Sequence, residues 1–131
     1  MSDLSEPGFE GTELLNFMKS VLDDDESLRK KSVQQAKANV ILTLKNKDKK
    51  TKSWFFEFKS TGEVQKIDGA PPKADVTLMM SDVDFLKLVN DEANPQKLYM
   101  SGKLKVKGNL MKAVAIEKIL RAADPRPKAK L

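Results

Sequence analysis

The chain has 131 residues and a formal net charge of +5, with no cysteine and no histidine. Those two absences exclude disulfides, zinc–thiolate sites, thiol nucleophiles and histidine general bases, and leave only carboxylates and lysines for acid–base work. The length suits one domain able to bury a core, and no apolar run approaches the roughly 18–20 residues that span a bilayer.

The charge is unevenly placed. Residues 1–26 hold eight acids and one lysine, whereas the rest holds 23 bases and 11 acids. The acidic start is unlike a signal or transit peptide. The basic body suits an anionic partner (nucleic acid, membrane or a phosphate-bearing ligand) and equally suits a lysine-rich solvated surface.

Residues 1–10 read as a flexible lead. From Thr12 the pattern is helical, with Leu14, Leu15, Phe17, Met18, Val21 and Leu22 on one arc. The acidic run Asp23 to Glu26 fits the start of a second helix, Ser27 to Ala36, where the helix dipole favours negative charge. Period-two alternation then predicts a strand around Val40 to Leu44, a polar turn at Asn46 to Lys50, and strands at Ser53 to Lys59 and Glu63 to Asp68. Trp54, Phe56 and Phe58 share one face of the second strand. Gly69-Ala70-Pro71-Pro72 is a stiff connector, followed by a strand at Ala74 to Met80. Ser81-Asp82-Val83-Asp84 has the form of a capping box ahead of a helix that buries Phe85, Leu88 and Val89. Asn94-Pro95 starts another short helix.

Lys103 to Lys107 alternates between Gly102 and Gly108, and reads as a fifth strand. Asn109 caps a last helix whose stretch Leu110 to Leu120 is apolar well beyond one stripe. Such a helix is either wedged in the core on two sides or covers a greasy opening. Met79, Met80, Met100 and Met111 lie in or beside this region, and methionine suits surfaces that accept variable apolar shapes as well as core gaps. Nucleic acid is the rival partner for the alternating lysines. Only Arg29 and Arg121 precede the end of the last helix, and the aromatics sit in an alternating core strand, so arginine forks and stacking platforms are missing. No glycine-rich phosphate loop is present in the sequence.

Four segments in order, Ala74-Asp75-Val76-Thr77-Leu78, Ser81-Asp82-Val83-Asp84-Phe85, Asn94-Pro95-Gln96-Lys97 and Ser101 to Asn109, resemble the successive signatures of the sterol carrier protein type 2 lipid-binding domain. The resemblance spans about residues 10 to 123 and is greatest to the small single-domain peroxisomal forms of fungi. It implies an α+β fold, a five-stranded sheet with helices over one face and a hydrophobic tunnel between them. It also implies non-specific binding and transfer of fatty acids, fatty acyl-CoAs, phospholipids and sterols, with no cofactor. Gln96 matches a family glutamine that approaches the ligand's polar part, whereas Val114 stands where some relatives place a second glutamine.

The expected division is therefore a lead at 1–10, a lipid-binding domain at 11–123 and a tail at 124–131. Ala129-Lys130-Leu131 resembles the Ser-Lys-Leu peroxisomal address, which implies an import receptor as partner and the peroxisome matrix as destination. The residues expected to line the tunnel are Trp54, Phe56, Leu78, Met80, Phe85, Gln96, Met100, Leu104, Val106, Met111, Val114 and Ile119. The expected activity is carriage of fatty acid or acyl-CoA in support of fatty-acid oxidation, with transient contact to an anionic membrane surface and no nucleic acid. The alternatives are an accessory module that presents lipid to an enzyme, and an acyl-CoA hydrolase working through a carboxylate base.

Overall fold

A computed structural model describes residues 8–9, 12–67, 69–90 and 92–123. Two helices lead the chain, α1 (Thr12–Asp24) and α2 (Glu26–Ala36), followed by strands β1 (Ala38–Lys45), β2 (Thr51–Phe58), β3 (Glu63–Lys66) and β4 (Val76–Ser81). Then come α3 (Asp82–Val89), α4 (Pro95–Met100), β5 (Lys105–Lys107) and α5 (Leu110–Ala123). The strands form one five-stranded sheet in the order β3-β2-β1-β4-β5. Only the β1–β4 pair is parallel; the other three neighbours are antiparallel. This is the α+β architecture that the sequence implies.

The element starts follow local chemistry. The Asp25 carboxylate accepts from Leu28 N at 3.0 Å to open α2, and the Ser81 hydroxyl accepts from Asp84 N at 3.0 Å to open α3. Asn94 caps α4 through Gln96 N and Lys97 N, with Pro95 at the first helical position, where its missing N–H costs nothing. Arg29 closes α1 from the outside: its guanidinium donates to the carbonyls of Leu22 and Asp23 at 2.9 and 3.0 Å. In the β1–β2 turn the buried Asn46 carbonyl accepts from Asp48 N and Lys50 N, both at 3.0 Å, which makes a side-chain-braced turn.

Every second residue of β1, β2 and β4 points to the helices and is buried: Val40, Leu42 and Leu44; Trp54, Phe56 and Phe58; Val76, Leu78 and Met80. The opposite face carries Met79, Lys105 and Lys107 in the open.

Three expectations need correction. The fifth strand is only three residues long, because Leu98 lies in α4 and its carbonyl accepts from both Lys103 N and Leu104 N, so those residues close a helix instead of starting a strand. Phe17 is 54% exposed: at 100° per residue it falls well round from the buried Leu14, Leu15, Met18 and Leu22. The third strand stops at Lys66, short of Asp68.

Candidate functional site

The helix α5 owes its position to both of its neighbours. Asn109 caps it by accepting from Met111 N at 2.8 Å, and Lys112 donates to the Ala36 carbonyl at 2.6 Å, which satisfies the end of α2. From there α5 packs against α1, α2, α3 and α4 and against strands β4 and β5. Its broad apolar surface is thus used on more than one side, as the core reading of the sequence has it. Ile119, 1% exposed, belongs to that general core.

One stripe of α5, formed by Ala113, Ile116, Glu117 and Leu120, roofs a cavity. Leu42, Leu78 and Met80 of the sheet floor it; Phe85, Leu88 and Val89 of α3, Pro95 of α4 and Leu104 form its walls. The cavity measures about 20 Å³, and no polar atom surfaces in it. Sites for drug-sized ligands run to about 300–1,000 Å³. At that size the space is a slit between packed side chains and not the open tunnel that the sequence resemblance implies.

The next stripe of α5, formed by Val114, Glu117, Lys118 and Arg121, lines a surface groove of about 420 Å³ with Glu92, Ala93, Asn94, Pro95, Gln96 and Lys97 across from it. The two spaces share Pro95 and Glu117. Because the cavity surface is wholly apolar, Glu117 gives it only its methylene stem and turns its carboxylate to the groove side. There Arg121, one helical turn on, donates to Glu117 Oε2 at 3.3 Å.

The twelve expected lining residues divide three ways. Leu78, Met80, Phe85 and Leu104 meet at the cavity, and Gln96 and Val114 meet at the groove. The other six reach neither. Trp54 and Phe56 are fully buried in β2, which packs against α2; Ile119 lies in the core; Val106 is half-buried against it. Met100 and Met111 are 83% and 67% exposed, because one ends α4 and the other begins α5 on its outer side. Sequence reasoning missed Ala113, Ile116 and Leu120, whose i, i+3, i+7 spacing was legible. It also missed Glu117, the only acid in α5 and a residue three and four positions from members of both stripes. Ala129, Lys130 and Leu131 lie outside the described residues.

A mixed sheet with helices packed on it, and an apolar slit beside a polar groove, define a small α+β domain with a candidate apolar binding site. The chain belongs to the SCP-2 sterol transfer family, whose model matches residues 18–121. It is 52% identical over 104 residues to the oleate-induced peroxisomal protein POX18 of Candida maltosa, covering 79% of this chain and 82% of that protein. It is 42% identical over 120 residues to a fatty acid-binding protein of Yarrowia lipolytica, covering 89% of this chain and 93% of that one. Among solved structures it superposes on sterol carrier protein 2 from Yarrowia lipolytica in its apo form with a TM-score of 0.86 and 40% identity, covering 95% of this chain and 100% of that one.

Proposed function

We propose that this chain is a peroxisomal lipid carrier that binds long-chain fatty acids or their CoA esters and hands them on for oxidation, without catalysing a reaction itself. Phospholipid and sterol remain within the range of cargo that such an apolar site takes. The observation that carries the reading is the apolar slit under α5 set against a polar groove, an arrangement suited to a molecule with a greasy tail and a polar head. Burial of the tail drives binding, at about 25 cal/mol for each Å² taken from water before ordering costs. At 20 Å³ the slit takes a chain only if its walls part. The wall best suited to move is α4, which has six residues and lies between the short α3 and a three-residue strand. Lys103, Lys105 and Lys107, all exposed at the sheet edge, suit a passing contact with an anionic membrane. The names of the two fungal relatives support the cargo and the compartment. The tail tripeptide supports import by a peroxisomal receptor.

Native mass spectrometry of freshly purified protein, followed by titration with a fluorescent polyene fatty acid, tests this reading. A co-purified acyl lipid and saturable one-to-one binding are expected. A protein that carries no lipid and binds none would overturn it, as would turnover of acyl-CoA abolished by changing one Asp or Glu. Removing Ala129 to Leu131 is expected to leave binding intact and to move the protein to the cytosol.

A further inference from the structure

Glu117 is oddly placed for a residue of plain structural use. It is 8% exposed, its stem is part of an otherwise apolar wall, and its carboxylate faces a groove with more positive than negative charge. Around that groove stand Lys97, Lys118 and Arg121 against Glu92 and Glu117. The Arg121 side chain is 36% exposed and the Glu117 side chain 10%, so the pair straddles the line between water and the cavity. The groove and the slit adjoin at Glu117 and Pro95, the two residues that both spaces share.

We propose that the groove is the head-group site, that it selects an anionic head, and that Glu117–Arg121 is its latch. An arriving carboxylate or phosphate replaces Glu117 as a counter-ion of Arg121. Glu117 then swings toward water, and the seam beside Pro95 opens for the tail. A neutral head has nothing to offer Arg121 and leaves the latch shut. Ion pairing in a half-desolvated site is stronger than at an open surface, which gives the exchange its leverage. This rests on the carrier reading above and deepens it by naming the charge of the cargo.

The test compares dodecanoic acid, lauroyl-CoA and dodecanol as competitors of a bound polyene fatty acid, on the full chain and its variants. Arg121→Gln is expected to lose about tenfold in affinity for the acid, the scale of one charge-assisted hydrogen bond, and to lose nothing or gain for the alcohol, because the latch is gone. Glu117→Gln removes the latch, and is expected to gain about threefold for the acid and to gain for the alcohol as well. Arg121→Lys keeps the charge and is expected to recover most of the loss. A larger loss for lauroyl-CoA than for the acid would assign the phosphates, not the carboxylate, to Arg121. Equal shifts for acid and alcohol in both variants would overturn the latch and leave the carrier reading standing. Failure of all three to displace the probe from the unaltered chain would overturn the carrier reading, and the latch with it. Circular dichroism on each variant separates unfolding from altered selection, and Arg121→Lys supplies the answer if the glutamine variant does not fold.

Discussion

The two halves of the sheet's covered face are built differently. On the side of α1 and α2 the strand β2 presents Trp54, Phe56 and Phe58, all 0% exposed. Phe56 and Phe58 meet edge to face with ring centroids 5.8 Å apart, and Phe9 meets Trp54 in the same way at 6.1 Å. Under α3, α4 and α5 the sheet presents Leu42 of β1 and Leu78 and Met80 of β4, with Pro95 of α4 at their side, and there the slit lies. The first half rests on long elements, an 11- and a 13-residue helix and two 8-residue strands; the second includes a 6-residue helix and a 3-residue strand. Interlocked aromatics brace one half; the other has the short α4 and β5 beneath the long α5. A carrier needs both, a frame that holds and a wall that yields.

The largest expected effect lies in the rigid half. Phe56→Ala removes a fully buried ring from the middle of the sheet and is expected to cost about 3–5 kcal/mol in denaturant unfolding. Fatty-acid affinity of the molecules that remain folded is expected to stay within about twofold, since Phe56 does not touch the slit. A large selective loss of affinity would bring the aromatic half into the binding site and erase the contrast.

Next comes Gly108, at the end of the short edge strand. Its φ is +113°, and a Cβ there would run into the Asp75 carbonyl oxygen, a backbone atom with little freedom to retreat. Gly108→Ala is expected to cost about 1–3 kcal/mol. It is also expected to weaken fatty-acid binding, because Gly108 lies between β5 and α5 and sets how α5 lies on the slit. Hydrogen exchange would show protection lost first in β5. Uniform loss across the sheet would mean that the two halves unfold as one.

Ala113→Val separates binding from stability. It adds two methyl groups to a space of about 20 Å³, and is expected to cost about 1–2 kcal/mol through overpacking. Fatty-acid affinity is expected to fall about tenfold, a larger share of function than of stability. Unchanged affinity would show that the chain is held elsewhere.

The same contrast explains what the sequence could and could not reveal. Long elements with strict periods (β1, β2, α1) and the capped starts at Ser81, Asn94 and Asn109 were legible, because each depends on neighbours in the chain. Trp54 and Phe56 share an inward face of β2, yet alternation gives only the face of a sheet and not which helix covers it. The order β3-β2-β1-β4-β5 puts them on the far side of β1 from β5. Met100 and Met111 were assigned by residue type, and helix phase placed them in water. Glu117 stayed hidden because its meaning lies in two spaces that meet only in the folded molecule.

The smallest expected effect concerns the rim of the rigid half. At the end of β2 the Glu57 carboxylate accepts from Thr61 N at 2.8 Å, Ser60 N at 3.1 Å and both hydroxyls at 3.0 Å, which ties down the turn into β3. Partial burial pushes its pKa up, but those four bonds together outweigh it and hold the group at about 2, below the ordinary 4.5. A folded pKa below the unfolded one means that the carboxylate stabilises the fold above pH 4.5 and that this contribution fades as the pH falls from about 4.5 to 2. Glu57→Gln keeps the shape and one acceptor but loses the charge, and is expected to cost about 1 kcal/mol at pH 7. As the pH falls to about 2 and below, the two proteins are expected to converge. The check is a pair of urea titrations across that window, in which the difference between unaltered chain and variant shrinks as acid is added. A difference that holds constant down to pH 2 would mean that the turn is shaped by Gly62, which has a φ of +76° and packs against Arg29, and that the Glu57 charge contributes nothing. The rigid half would then end at Phe58, and the turn beyond it would belong with the yielding parts of the molecule.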